Sequence, residues 1–283
     1  MGPPRGPIIG DALSGLVAEH VVTRSVRDCA AVLDATAGTI PGDPYSAPAA
    51  PKSFLAEVTA PSQVMRIAVM PEAPGAPRDP ACEQALRDTV RLLGEMGHIV
   101  EEPPRFEPQS VTEDSGEFAV IWCAGLASNL AGLEPLVGRP PSGNDLEPLT
   151  WAMNEAGKQV SAVRYLDAVA KMQSLSREFA HHYREYHLTL VPTLYTPPLK
   201  LGEIDVQSRD VDAQMEIIFR FVSHTMLFNM TGCPAISLPL AWTNAGLPLG
   251  MMFGARFGDE ASLFRIAGQL ERARPWADRI PAI

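Results

Sequence analysis

Between Phe228 and Trp276 the hydrophobic period changes twice, and proline, glycine and asparagine mark each change, so this stretch limits the fold more than any other. Residues 234–240 and 249–255 are short apolar runs, and the turn chemistry of 243–248, with Asn244 and Gly246, lies between them. The pattern predicts two neighbouring core strands joined as a hairpin. Beyond Gly258, Asp259 is suited to cap a helix, and Leu263, Phe264, Ile266, Ala267 and Leu270 recur at helical spacing. Arg272 and Arg274 fall in the last turn, where cations oppose the negative end of the helix dipole, and Pro275 follows. Strand, hairpin, strand and helix in that order form the centre of an α/β domain.

The rest of the chain supplies the surroundings. Residues 1–15 are rich in Gly and Pro and read as a loop rather than a natural domain start. Thr23 or Ser25 caps a helix whose buried stripe is Val26, Cys29, Ala30 and Leu33, with Asp28 placed to complete a capping box and Gly38 ending it. Residues 39–61 carry five prolines and are expected to be an extended surface loop. A strand at 66–70, a helix opened by Asp79-Pro80 and a strand from Ile99 make one β-α-β unit, which reads as scaffold because no G-x-G-x-x-G follows its first strand. A helix is expected at 113–133, a Pro/Gly-rich loop at 134–148, and a long amphipathic helix at 161–186 with Val163, Leu166, Val169, Ala170, Leu175 and Phe179 on its inner face. Residues 188–192 read as a core strand, and a helix at 211–226 delivers the chain to Phe228 and Asn229. No internal repeat or linker divides the chain, so residues 1–283 are expected to form a single domain.

Composition narrows the function classes. With 283 residues, 46% of them hydrophobic, the chain can bury a substantial core. A net charge of −10 and no basic run argue against a nucleic-acid partner. The N-terminus has no apolar leader and the apolar stretches fall short of the roughly 18 residues needed to span a bilayer, so a cytoplasmic protein without a membrane partner is expected. Cys29, Cys82, Cys123 and Cys233 form no C-x-x-C pair and read as reduced, buried thiols, and the six histidines show no H-E-x-x-H. Neither a metal nor a cofactor is expected.

The residues of the central stretch also carry a resemblance. F-N-x-T-G-x-P-A-I-S-x-P from Phe228, G-L-P-x-G from Gly246 and F-G-D-E from Phe257 resemble the C-terminal block of the amidase signature family, serine hydrolases that cleave carboxamides. T-R-S-V-R-D-C-A-A-V-L-D from Thr23 is similar to a second block of that family, one that follows its catalytic region. The resemblance spans essentially the whole chain and implies a mixed sheet between helical layers, an α/β/α architecture incomplete at the N-terminus. It also implies a lysine and a G-G-S-S-G-G-S loop as catalytic machinery, and the chain contains no adjacent Ser-Ser or Gly-Gly pair. A serine hydroxyl needs a neighbouring base and an oxyanion hole to act as a nucleophile, so no other serine inherits the role. Nor does any of the four lysines, Lys52, Lys158, Lys171 and Lys200, have a serine three residues before it.

No catalytic residue is therefore assigned, and the chain is expected to be inactive alone. By the same resemblance the middle of the chain lends walls to a substrate pocket, with Trp122 and Cys123 as candidates, although a Trp on a helix is more often core. Thr193 follows a strand end that can face a cleft. Phe228 and Asn229 stand in the family motif, and Asn229 either hydrogen-bonds the backbone of the turn or approaches a ligand. The partners implied are a small-molecule amide, once the missing block is supplied, and a second copy in a homodimer. The alternative is a non-catalytic binding or regulatory remnant of an amidase.

Overall fold

The structure, a computed structural model, describes residues 12–39, 41, 48–61, 63–73, 76–103, 116–222 and 224–280. The loop expected at 1–15 and the helix start expected at 113–115 therefore fall wholly or mostly outside the described residues.

A five-stranded sheet in the order β2-β1-β3-β5-β4 organises the molecule. Strand β1 (Arg66–Val69), helix α3 (Pro80–Glu95) and strand β2 (Ile99–Glu101) make the expected β-α-β unit, with β1 and β2 parallel. Asp79 caps α3 by accepting from Ala81 N–H, and Pro80 occupies the first turn, where its missing N–H costs nothing. On the other side β1 pairs in parallel with β3 (Leu188–Pro192), whose five residues are all buried. The first rung of β1 is closed from both flanks by imidazole. Met65 N–H donates to His98 Nδ1 at 3.2 Å and Arg66 N–H donates to His187 Nδ1 at 3.0 Å, so each ring keeps its proton on Nε2. His98 Nε2 then faces Gln269 Oε1 at 3.0 Å.

Strands β4 (Ala235–Trp242) and β5 (Pro248–Ala255) form the predicted antiparallel hairpin, and β5 pairs antiparallel with β3. Thr243 and Leu247 close the turn at 2.8 Å, with Gly246 in the left-handed region. β4 tolerates Pro239 because it is an edge strand whose register shifts between Pro239 and Ala241. Helix α10 (Glu260–Ala273) follows, with Asp259 accepting from Ser262 N–H as the predicted cap.

Strand alternation divides the core. Leu190, Leu240, Met251 and Phe253 pack against α3, α10, α1 (Val26–Thr36) and the short helix α2 (Phe54–Glu57). The opposite face carries Val191, Met252 and Thr189 toward helix α7 (Ala162–His182) and helix α9 (Thr225–Thr231). Helix α4 (Glu117–Gly132) lies against α7 and against α6 (Pro148–Lys158), which also meets α8 (Val211–Val222). This is a mixed sheet between helical layers, as expected.

Several local expectations change. The loop expected at 39–61 holds α2, which Ser53 caps and whose first two N–H groups, those of Phe54 and Leu55, donate to the Asp34 carboxylate. Buried Phe54 then meets Phe264 at a centroid distance of 5.8 Å. Helix α6 begins on Pro148, the last residue of the predicted loop, and the short helix α5 (Glu134–Val137) lies within that loop. The helix expected at 211–226 is two helices, so Phe228 and Asn229 sit on the second rather than beyond it. On α7 the buried stripe is Ala168, Met172, Leu175 and Phe179, while Val163 and Leu166 are exposed at 79% and 66%. One run, Glu117–Val137, reaches the length and apolar composition of a membrane span, contrary to the sequence expectation. It reaches that length only by joining α4 and α5 across Leu133, and its first residue, Glu117, is buried with Arg164 and Lys171 as ion-pair partners.

Candidate functional site

The α9–β4 junction is built by one glycine. Thr231 Oγ donates to Leu227 O at 2.8 Å at the end of α9, and Gly232 then takes φ 68° and ψ 9°, a left-handed helix terminus that L side chains resist. The reversal sends Cys233 and Pro234 back along the helix end and into β4. It leaves Phe228, Asn229, Cys233 and Ile236 around one cavity of about 340 Å³.

Four other segments complete the walls. Val17 to His20 form one side, Cys29 and Leu33 of α1 a second, Met252 of β5 the floor, and Glu260, Leu263 and Phe264 of α10 the rest. The lining is mainly apolar, with Glu19, Glu260 and His20 as its acidic and basic members beside the thiols of Cys29 and Cys233. His20 Nε2 lies 3.1 Å from Cys29 O. Burial pushes both the Cys29 and the Cys233 thiols above the ordinary cysteine value, in Cys233 against a Thr231 hydrogen bond that lowers it. Both are thus held toward the protonated form and line the cavity as soft apolar wall. Among the described residues no three His, Cys, Asp or Glu side chains gather as a metal-ligand group. Such a cavity suits a neutral molecule with an apolar body.

The structure brings two of the five sequence candidates together here. Phe228 is buried, meets Phe179 edge-on at 6.2 Å, lays its ring edge over Gly254 and lines the cavity. Asn229 lines the cavity too, and its Nδ2 donates to Leu16 O at 2.9 Å across the wall. The other three lie elsewhere. Trp122 stacks on Phe118 at 5.5 Å with 37% of its surface exposed. Cys123 is buried where α4 crosses α6, and a Cβ on Gly157 would stand 2.0 Å from its carbonyl oxygen. Thr193 Oγ1 lies 2.6 Å from Ser237 Oγ, just beyond the end of β3. The remaining wall residues escaped the sequence reading as site residues. Cys29, Leu33, Leu263 and Phe264 carry only the signal of an amphipathic stripe, and their convergence is a product of tertiary packing.

A family model described as Amidase matches residues 3–264. The chain is 29% identical to the 6-aminohexanoate-cyclic-dimer hydrolase of Pseudomonas sp. (strain NK87), over 98% of this chain and 58% of that protein. It is 28% identical to the protein of the same name from Paenarthrobacter ureafaciens, with the same coverage. A solved structure of 6-aminohexanoate cyclic dimer hydrolase superposes with a TM-score of 0.90 at 28% identity, covering 99% of this chain and 60% of that one. A bacterial aryl acylamidase shares the fold with a TM-score of 0.74 at 19% identity, over 91% of this chain and 53% of that one. The chain thus spans about 58% of the length of these two curated relatives.

Proposed function

The chain belongs to the amidase family, and from that premise we propose that it forms the substrate-holding part of an amide hydrolase, with the cavity beside Gly232 receiving the substrate. The observation that carries this reading is the 0.90 TM-score over 99% of the chain to a hydrolase of a cyclic amide. The apolar lining supports a neutral carboxamide with a methylene-rich body, and a cavity of about 340 Å³ is within the usual range for small ligands. Phe228 supplies apolar wall, and Asn229 fixes the facing segment.

The reaction is acyl transfer. A serine attacks the carboxamide carbon, the amine leaves with a proton, and water releases the acyl group from the enzyme. That serine requires a base to take its proton and N–H donors for the oxyanion, and the Gly-Ser-rich block that supplies them in the family is not among these 283 residues. We therefore expect the chain to bind an amide without turning it over.

Titrating the purified protein with 6-aminohexanoate cyclic dimer separates the two statements. A ligand at 100 times its Kd adds about 2.7 kcal/mol of stability, so binding is read as a rise in Tm. No rise overturns the pocket. Release of primary amine from the dimer, abolished by a serine-directed phosphonate, overturns the expectation of inactivity.

A further inference from the structure

The segment that walls the cavity is preceded by an unusual turn. Leu13 (φ 56°, ψ 39°), Ser14 (φ 53°, ψ 41°) and Gly15 (φ 80°) are left-handed in succession. L residues visit this region singly, because Cβ crowds the following carbonyl oxygen, and two non-glycine residues in a row persist only where their surroundings hold them.

Three helices do the holding. The Leu13 side chain occupies the space over Gly125 of α4, where a Cβ would lie 1.6 Å from Leu13 Cδ2. Ser14 Oγ lies 2.7 Å from the Tyr165 hydroxyl of α7. Leu16 N–H donates to Leu13 O at 3.1 Å, and Leu16 O accepts from Asn229 of α9 at 2.9 Å. Leu16 itself is wholly buried with Ile121, Ala168 and Met172, whereas Ala18, Glu19 and His20, the wall beyond it, are exposed. The strained end of the segment is thus pinned by α4, α7 and α9, while its cavity end is exposed and meets α1 through His20 Nε2, 3.1 Å from Cys29 O.

We propose that residues Leu13–Leu16 form a sprung latch for the cavity, in which the Ser14–Tyr165 and Leu16–Asn229 hydrogen bonds are the catches and residues 17–20 are the wall they hold closed. Relaxing Leu13 and Ser14 to ordinary backbone angles turns φ by more than about 100°, which re-aims everything after them. Tyr165 and Asn229 are then positioning residues, acting on the pocket through the wall. What passes the latch rests on the reading of the cavity as an amide pocket; the latch itself rests on the turn.

Cys233 reports opening, because it lines the same cavity and is only half-buried. Buried Cys82, in the core on the far face of the sheet, reports global unfolding. The experiment is iodoacetamide labelling of the full chain at fixed pH, resolved by mass spectrometry for each cysteine, with hydrogen exchange at the Leu16 amide alongside. In Tyr165→Phe and in Asn229→Ala, Cys233 labelling should rise at least threefold with Cys82 unchanged, and Leu16 exchange should accelerate in step. A Cys233 rise below threefold in both variants, a parallel rise at Cys82, or unaltered Leu16 exchange overturns the proposal. No amide is used, so a chain that fails to bind the cyclic dimer yet passes this test loses the proposed function and keeps the latch.

Discussion

Gly232 and Cys82 show how much one side chain settles. Because Gly232 holds φ 68° and a Cβ there would meet only Phe257 Cδ2, at an ordinary 3.9 Å, the obstacle to a substitution is backbone strain rather than a clash. Gly232→Val should lower stability by about 1–3 kcal/mol, with loss of soluble protein, whereas Gly232→Asn should cost less because asparagine tolerates this region. Urea unfolding of the two variants checks the order. Burial, and then the charge of Asp79, raise the Cys82 thiol from an ordinary value of 9.0 to about 11. An acid whose folded-state pKa is raised contributes stability that is present below the unfolded value and lost as pH climbs through the folded one. Stability should therefore fall between about pH 9 and pH 11, and less steeply in Cys82→Ala, as urea midpoints across that range will show. Gly232 is visible in the sequence as the glycine of the F-N-x-T-G-x-P motif, just before the run at 234–240. The bond from Asn229 to Leu16, across 213 residues, is not, because nothing local pairs them.

Helices and strands became legible where capping and turn residues agreed with periodicity. The hairpin β4–β5 and α10 emerged nearly residue for residue because Gly246, Pro248 and Asp259 all punctuate in the same sense as the apolar pattern. Helix α6 was missed because its buried face is Leu149, Asn154 and Gly157, a face without apolar periodicity, and because Pro148 reads as loop. The inner face of α7 was misdrawn because the first turns pack through Tyr165, Ala168 and Val169, which leaves Val163 and Leu166 on the outer side of the helix. Helix α2 hid in a proline-rich segment, yet its Phe54 is a core residue. Phe54→Ala should cost about 3–5 kcal/mol through loss of its contact with Phe264 and detachment of α2 from α10, read as a lowered unfolding midpoint.

At the scale of the molecule, β4 ends the sheet order, and an edge strand offers unpaired backbone groups to any neighbour. Leu136 and Val137 of α5 and Val163 and Leu166 of α7 add exposed apolar surface. The purified chain should self-associate, as a dimer or larger, and light scattering with and without an added N-terminal family fragment tests this; a clean monomer with a sharp, reversible melt overturns it. The strand order has one more consequence, for the sequence of events in folding. The β4–β5 hairpin and α10 join residues close along the chain, whereas the rung between β1 and β3 closes across 121 residues and cannot form until that loop has paid its closure entropy. Residues 235–273 should therefore be structured in the transition state, and the β1–β3 pairing should come later. Leu263→Ala in α10 is then expected to slow refolding, whereas Ile67→Val in β1 speeds unfolding and leaves the refolding rate nearly unchanged. Should both substitutions act on the same limb of the chevron, the sheet assembles in one concerted step instead.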